Sequence, residues 1–336
     1  MLKNKDYKMP ALPHRALGKQ GLKVSTIGLG CMSLSGVYGE ANDADSEKLI
    51  HQAIDLGIDH FDSSDMYGWG HNETVLGRAL KGKRDRVMLA TKFGQVRREG
   101  QGNGVDGSPK HVQQACEDSL KRLGVEVIDL YYQHRVDPSV PIEDTVGAMA
   151  KLVQQGKVRY LGLSEARPET VRRAHKVHPI AAVQTEYSLL YRTEAEETRK
   201  TTRELGISYV AYSPLGRGFL TGTIKQFSDV DGRRAAHPRF QESNFAHNRA
   251  LVAKVEDIAA EKRCTPAQVT LAWLLAQGND VVAIPGTRHA ARLDENIGAL
   301  EVELSDDDVS RISAAVPAGA AAGTRYPAAG MAGVFI

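Results

Sequence analysis

The feature that most constrains the fold of this chain is a regular alternation of short β-rich runs with helical segments. These strand–helix units repeat at intervals of roughly 25–40 residues, a rhythm that predicts a parallel sheet covered by helices. Their number comes near eight, which favours a single (β/α)8 TIM barrel over an open doubly wound sheet. The predicted strands are Ile58–Phe61, Arg86–Thr91, Val127–Gln133, Val158–Gly162, Ala181–Gln184, Ile207–Tyr212 and Val281–Ile284, with Val24–Leu29 as a further hairpin or barrel strand.

Capping residues mark where the intervening helices begin and end. Asp45 and Asn72 are predicted to cap the first two helices, and a capping box of Ser305 with Asp308 begins the last. The predicted helices are Ser46–Leu56, Asn72–Leu80, Ser108–Leu123, Ile142–Gln155, Pro168–Val177, Glu194–Leu205, Pro266–Gln277, Ala290–Gly298 and Asp306–Ala314.

Two segments interrupt this rhythm, the polar, glycine-rich stretch Gly94–Gly107 and the long excursion Pro214–His247. Both follow predicted strands, so they should lie at the catalytic end of a barrel, where loops of this length are usually functional. A hairpin signal at Gly18–Gly21 precedes the barrel units. We expect one barrel domain over residues 1–336, with a loose leader at 1–13 and a C-terminal tail at 316–336 near the substrate pocket.

The overall charge and the cysteines exclude several classes of partner. A formal net charge of +2 gives no electrostatic case for nucleic acid or an anionic membrane. No apolar run approaches membrane-spanning length, and the N-terminus lacks the apolar core of a signal peptide. Cys31, Cys116 and Cys264 have neither disulfide nor metal-ligand spacing, which suits a reducing cytoplasm. We expect a cytoplasmic protein without a metal, and the sequence leaves monomer or homo-oligomer open.

Proton-handling side chains follow three successive predicted strands. Asp62 ends the first, with Tyr67 in the loop beyond it, while Lys92 ends the second and His134 the third. Because barrel strands present their C-terminal ends to one catalytic face, we expect these four groups to share one mouth. Each has an ordinary alternative as a turn carboxylate, loop tyrosine, surface lysine or capped histidine, but their joint placement favours chemistry.

These four groups suit the protonation of an oxygen that gains negative charge. A tyrosine with an unperturbed pKa near ~10 is a poor acid at neutral pH, but the Lys92 ammonium is expected to lower that pKa. Asp62 supplies the counter-charge of a buried lysine, and His134 can orient a substrate oxygen. Carbonyl reduction fits, provided that a nicotinamide supplies the hydride that no side chain can donate.

Later strand ends carry groups suited to the nicotinamide itself. Ser164 follows the next strand and Gln184 ends the one after it, and they offer a hydroxyl and an amide for a carboxamide. Tyr212 ends the strand after them and offers a flat face for stacking on the ring.

The last strand is followed by residues suited to phosphate. Gly286, Thr287, Arg288 and Arg292 precede or begin a predicted helix, and barrels often bind phosphate there. The alternative is a Pro-Gly turn with solvated arginines. The pattern G-x-G-x-x-G at 102–107 is set aside, because it does not directly follow a strand.

Together these motifs resemble the aldo-keto reductase family across Arg15 to Ala315. The motifs that carry the resemblance are Gly57–Gly68, Thr91-Lys92, Gln133-His134, Tyr212–Gly216 and Ile284–Thr287. In finer detail, segments 162–166, 182–189 and 214–222 resemble a bacterial and plant branch that includes perakine reductase, plant pyridoxal reductase and auxin-induced-type reductases.

The resemblance implies NADPH-dependent reduction of a small aldehyde or ketone to the alcohol. It implies a catalytic tetrad of Asp62, Tyr67, Lys92 and His134, with Tyr67 as the general acid. The implied cofactor contacts are Ser164 and Gln184 at the carboxamide, Tyr212 on the ring, Ser213, Leu215, Gly216 and Arg217 at the pyrophosphate, Gly286, Thr287, Arg288 and Arg292 at the adenosine end, and Glu295 and Asn296 at the adenine.

The chain departs from the family pattern at two positions. Many members have Asn where Glu165 stands, so the role of Glu165 stays open. Many have Lys where Gly286 stands, so Arg288 is expected to bind the 2′-phosphate that distinguishes NADPH from NADH. Trp69, just past Tyr67, either walls the substrate site or packs within its loop.

Three other functions are considered. The first is a nicotinamide-binding regulatory subunit resembling potassium-channel β subunits, against which the intact tetrad argues. The second is a barrel hydrolase that uses Asp62 with another carboxylate. The third is an alcohol or sugar dehydrogenase running in the oxidative direction at the same site. The substrate is not predicted, because its pocket would be built from 94–107, 214–247 and 317–336.

Overall fold

The computed structural model describes residues 12–36, 41–98 and 102–336, so most of the expected leader at 1–13 lies outside the described residues. Of that leader, Leu12 is buried and Pro13 accepts hydrogen bonds from Thr26. The strands in the described ranges are β1 His14–Leu17, β2 Leu22–Ser25, β3 Leu29–Gly30, β4 His60–Asp62, β5 Met88–Phe93, β6 Gln95–Arg98, β7 Gly102–Val105, β8 Ile128–Gln133, β9 Val158–Ser164, β10 Ile180–Glu186, β11 Ser208–Tyr212 and β12 Val281–Ile284.

Eight of these strands form a parallel sheet in the order β3-β4-β5-β8-β9-β10-β11-β12. The two ends of this sheet meet just before β3. Ile27 forms a parallel bridge with Ala283 of β12, and the Gly28 amide donates to the Ala283 carbonyl at 2.8 Å. The sheet is thereby joined into a barrel surrounded by helices, and the predicted (β/α)8 fold is confirmed.

Alternate strand residues point into the barrel, as the two-residue period of a β-strand requires. Met88 and Ala90 of β5 share a buried cluster with Tyr132 of β8. Leu17 and Val24 of the β1–β2 hairpin join the same cluster. The hairpin therefore closes the N-terminal end of the barrel and leaves the C-terminal end for the site.

The helices lie close to their predicted positions. Asn42 rather than Asp45 caps the first, because the Asn42 side chain accepts from the Asp45 amide at 3.2 Å. Capping boxes at Thr265 and Ser305 begin two of the later helices. The helices in the described ranges are α1 Asp43–Asp55, α2 His71–Ala79, α3 Pro109–Leu123, α4 Ile142–Gln154, α5 Pro168–Val177, α6 Thr193–Leu205, α7 Glu242–Glu261, α8 Pro266–Ala276, α9 Ala290–Ile297, α10 Asp306–Ala315 and α11 Ala328–Met331.

The predicted cap of α2 was also wrong. Gly70 precedes this helix with φ at 93°, a conformation that glycine adopts without strain. Asn72 lies inside the helix, where its amide donates to Cys31 O and to Ser35 Oγ, both at 2.8 Å. Its side chain therefore fixes the loop after β3 against the loop after β4 instead of capping a helix.

The two long interruptions contain more regular structure than the sequence indicated. The segment Gly94–Gly107 holds the antiparallel hairpin β6–β7, and the pattern at 102–107 begins on β7. The excursion Pro214–His247 contains short 3-10 turns and the start of α7. Sequence analysis missed α7, because its first turns are polar and its buried face includes Asn248, which weakens the apolar period. None of the helices in the described ranges is both long and apolar enough for a membrane span.

Candidate active site

The register of the barrel brings the predicted site residues to one mouth. In the parallel sheet Asp62 pairs with Ala90, Lys92 with Tyr132, and Gln184 with Ser164, so members of each pair face the same side. Ala90 and Tyr132 belong to the barrel interior, and Lys92 lies two residues beyond Ala90. On these strands the side chains that face the barrel interior are therefore followed, at the C-terminal mouth, by a polar side chain.

Lys92 is the buried centre of the tetrad, defined as Asp62, Tyr67, Lys92 and His134. Its side chain is 0% exposed and forms an ion pair with Asp62, which is 2% exposed. The Lys92 Nζ also donates to Ser63 O at 2.7 Å and lies 3.5 Å from the Tyr67 hydroxyl. Burial alone would lower the pKa of Lys92, but Asp62 and Tyr67 raise it, so the ammonium stays charged at neutral pH.

Tyr67 lies in the loop after β4, with its ring 5.1 Å from the Lys92 Nζ. Burial raises the pKa of the Tyr67 phenol above its ordinary value; Lys92 lowers it only in part, and Asp62 adds to the rise. Lys92 thus lowers this pKa as expected, but desolvation outweighs the ammonium and the net shift is upward. The phenol is protonated at neutral pH, which is the form that donates a proton.

His134 contacts the same space from the end of β8. Its ring meets the Tyr67 ring edge to face, with 5.8 Å between centroids. The His134 Nδ1 lies 3.0 Å from Ser64 Oγ, a closer acceptor for that hydroxyl than Asp65 at 3.3 Å or Lys92 O at 3.5 Å. With Ser64 donating to Nδ1, the neutral ring carries its proton on Nε2. Burial, together with Arg135 and Lys92, lowers the pKa of His134 well below its ordinary value, so the ring is neutral.

Of the residues predicted for the nicotinamide, Gln184 contacts the tetrad directly. The Gln184 amide Nε2 donates to the second oxygen of Asp62 at 2.8 Å. Ser164 is buried, and its hydroxyl lies 3.4 Å from Arg135 Nη1. Tyr212 is half-buried at the end of β11. Gln184 thus contacts the tetrad, Ser164 is linked to it through Arg135, and Tyr212 lies at the end of β11 beside β10.

The residues predicted for the phosphates and adenine lie on the other side of the mouth, after β11 and β12. Arg217 is buried and pairs with Glu186 at 3.2 Å. Arg292 pairs with Glu295 on α9 at 2.6 Å. Arg288 is half-buried in the segment between β12 and α9. The remaining predicted residues are Ser213, Leu215 and Gly216 in the loop after β11, Gly286 and Thr287 after β12, and Asn296 on α9.

Strained backbone concentrates in the loops of this face. Trp69, Glu165, Ser213 and Arg217 adopt φ values of 52°, 60°, 47° and 57°. Left-handed conformations cost about 1–3 kcal/mol for residues other than glycine and cluster at functional sites. Trp69 is 39% exposed, and the Arg97 guanidinium lies 4.8 Å from its ring, so this indole is only partly packed.

Glu165 holds the C-terminal tail over the mouth. It forms a bidentate ion pair with Arg325, and the two side chains are 0% and 1% exposed. The Tyr212 hydroxyl donates to Glu165 at 2.8 Å and lies 2.9 Å from the Tyr326 hydroxyl. Loss of one partner of such a buried pair is costly, so the pair fixes the tail beside Tyr212. Sequence analysis missed Arg325, since the partners are separated by 160 positions and nothing local marks the pairing.

A surface cleft elsewhere contains none of the tetrad. It measures about 960 Å³ and is lined by residues of α2, α3 and the loops after them. Its arginines are engaged: Arg78 with Asp43 and Glu47, Arg122 with Glu73, and Arg84 and Arg159 with Asp129. The four residues predicted to be catalytic therefore lie at the barrel mouth and not in this cleft.

Comparison with known proteins decides the family. The model of the aldo/keto reductase family matches residues 26–317. This chain belongs to the aldo/keto reductase family. It is 50% identical over 313 residues to probable aldo-keto reductase 1 from Glycine max, covering 92% of this chain and 90% of that protein.

Solved structures share the fold of this aldo/keto reductase. The holo form of the aldo-keto reductase AKR11C1 from Bacillus halodurans superimposes with a TM-score of 0.79 at 29% identity, covering 92% of this chain and 97% of its own. The glycerol dehydrogenase AKR11B4 from Gluconobacter oxydans gives 0.81 at 29% identity, covering 90% and 96%. Aldo/keto reductases use a nicotinamide cofactor, and this chain is accordingly an oxidoreductase. Family membership also sets aside the barrel hydrolase considered from the sequence.

Proposed function

We propose that this aldo/keto reductase reduces an aldehyde or ketone to the alcohol with NADPH. The observation that carries the proposal is the buried contact of Lys92 with both Asp62 and Tyr67, beside a neutral His134. When bound, the nicotinamide supplies the hydride that adds to the carbonyl carbon.

The tetrad residues divide the remaining work. The Nε2–H of His134 donates to the carbonyl oxygen and orients it. As charge builds on that oxygen, Tyr67 delivers its proton there, because a developing alkoxide is more basic than a phenol. The Lys92 ammonium, held by Asp62, stabilises the phenolate that Tyr67 becomes.

The residues that line the mouth fit a nicotinamide nucleotide. Ser164 and Gln184 present a hydroxyl and an amide to a carboxamide, while the half-buried Tyr212 ring offers a stacking face. The pyrophosphate would be lined by Ser213, Leu215, Gly216 and Arg217. The adenosine end would be held by Gly286, Thr287, Arg288 and Arg292. The adenine would contact Glu295 and Asn296. The first turn of α9 has no side-chain cap from His289, so its amides suit a phosphate.

We assign selectivity for NADPH over NADH to Arg288, which would bind the 2′-phosphate, and replacing this residue tests the assignment. We expect Arg288→Ala to raise the Kd for NADPH by about 10- to 100-fold, the value of a charge-assisted hydrogen bond, while the Kd for NADH stays within about two-fold. Nucleotide titration followed by fluorescence measures both constants. Arg311→Ala, which removes an exposed arginine paired with Glu261, is the matched control and should change neither. An equal loss for both nucleotides would refute the assignment.

Alcohol oxidation is the second candidate, because a solved relative is named a glycerol dehydrogenase. The same residues serve it in reverse, with Tyr67 accepting the proton of the alcohol. The raised pKa of the Tyr67 phenol keeps it protonated at neutral pH, which is the form that reduction needs, whereas oxidation needs the phenolate.

A further inference from the structure

We infer that the carbonyl substrate carries an oxyanionic group, a carboxylate or a phosphate, and that Arg135 binds it. The inference rests on the proposed function, since it names the substrate class of that site. Arg135 directly follows His134 and is half-buried at the mouth.

The contacts of Arg135 leave most of its guanidinium for a ligand. Nη1 donates to His134 O at 2.6 Å and lies 3.4 Å from Ser164 Oγ. In the part of the chain that the structure describes, no carboxylate oxygen lies within 4 Å of the guanidinium nitrogens of Arg135. Nη2 and Nε therefore remain as a planar pair of donors, the geometry that matches a carboxylate or phosphate.

Neighbouring carboxylates already have other partners. Glu165 is bound by Arg325, and Asp62 by Lys92. Glu186 receives two arginines, Arg217 and Arg239, and all three side chains are buried. Cations therefore outnumber carboxylates around the mouth, and a cation that is partly withdrawn from water gains from a counter-charge. An anionic ligand would supply that charge.

The position of Arg135 favours the substrate over the phosphates of the cofactor. β8, which leads to Arg135, is separated from β12 and its phosphate-binding candidates by β9, β10 and β11. Burial lowers the pKa of Arg135, but Tyr212, Tyr326, Glu165 and Tyr67 lie close enough to raise it above its ordinary value. At Gly333 of the tail, a Cβ would lie 3.9 Å from Arg135 Cδ. An oxyanion on Arg135 would thus lie between the tail and the proton donor.

Two matched substrate pairs test the inference. We would compare 4-carboxybenzaldehyde with its methyl ester, and glyceraldehyde 3-phosphate with glyceraldehyde, by steady-state NADPH oxidation. The wild-type protein should prefer the anionic member of at least one pair. Arg135→Met should raise KM for that member by about 10- to 100-fold and leave the neutral member within about two-fold. Arg135→Lys should lie between them, because a lysine keeps the charge but loses the planar pair of donors.

Controls separate substrate binding from a structural role. Arg167→Met removes an exposed arginine next to α5, paired only with the exposed Glu169, and should leave the anionic preference unchanged. NADPH affinity of Arg135→Met should match that of the wild-type protein. The inference would be overturned if Arg135→Met raised KM equally for charged and neutral substrates, or if it weakened NADPH affinity. Either result is what we expect of a residue that only positions Ser164. If the wild-type protein reduced no aldehyde at all, the proposed function itself would fail.

Discussion

Replacing Tyr67 by Phe is expected to lower kcat/KM for 4-nitrobenzaldehyde by about 10²- to 10⁴-fold, the usual contribution of a general acid. The change removes only the hydroxyl that lies 3.5 Å from Lys92 Nζ and keeps the ring packed against His134. NADPH affinity should stay within about two-fold, because the phenol acts on substrate oxygen and not on the nucleotide.

Steady-state NADPH oxidation and a fluorescence titration measure the two effects of Tyr67→Phe separately. Tyr160→Phe is the matched control, because that hydroxyl lies on β9 next to Gln20 of the N-terminal hairpin turn, away from the mouth. It should leave both constants unchanged. Retention of more than about a tenth of the wild-type rate in Tyr67→Phe would mean that another group protonates the substrate.

The same phenol sets the pH dependence of the wild-type rate. Burial raises the pKa of Tyr67 above its ordinary value, so the protonated donor is present throughout the neutral range. Reduction should therefore not decline as pH rises from neutrality until the raised pKa is approached. Alcohol oxidation, which needs the phenolate, should instead increase with pH.

Lys92→Met is expected to lose both stability and activity, and its loss of stability should be the largest among the variants proposed. It leaves Asp62, at 2% exposure, with Gln184 as a hydrogen-bond donor but without its counter-charge. Removing one partner of a buried pair typically lowers the free energy of unfolding by about 3–5 kcal/mol. Activity should fall by at least about 10²-fold, because the cation that stabilises the Tyr67 phenolate is lost.

Urea unfolding and the aldehyde assay follow the two losses of Lys92→Met. In Asp62→Asn/Lys92→Met, which removes both charges, stability should recover substantially while activity stays low. Lys48→Met, which removes an exposed partner of Asp45, should change the free energy of unfolding by less than about 1 kcal/mol. A single variant as stable as the wild-type protein would contradict the description of Lys92 as a buried charge held by Asp62.

Periodic features of the fold could be predicted from the sequence. The strand–helix rhythm predicted the barrel, and the positions of Asp62, Lys92 and His134 at the ends of successive strands predicted that they would meet at one mouth. Local features with competing partners were predicted less well. Asn72 has the residue type of a helix cap, but its amide finds buried acceptors on the loop after β3. Whether Asn72 caps the helix or binds the neighbouring loop therefore depends on tertiary contacts that no local pattern encodes.

Features that depend on long-range contacts could not be predicted at all. The role of Glu165 was left open, because its partner Arg325 is distant in sequence and only the finished barrel brings them together. The raised pKa of Tyr67 likewise depends on burial, which the sequence around Tyr67 does not reveal. The functional roles of the tetrad and of the cofactor residues stay predictions that the variants above test.

Transfer of labelled hydride tests the central claim most directly. NADPH deuterated at both C4 positions would be incubated with 4-nitrobenzaldehyde and the wild-type protein, and the alcohol analysed by mass spectrometry. We expect one deuterium on the former carbonyl carbon, with product greatly reduced in Tyr67→Phe. An alcohol without deuterium, or no alcohol despite bound NADPH, would contradict the proposal that this protein is an NADPH-dependent carbonyl reductase.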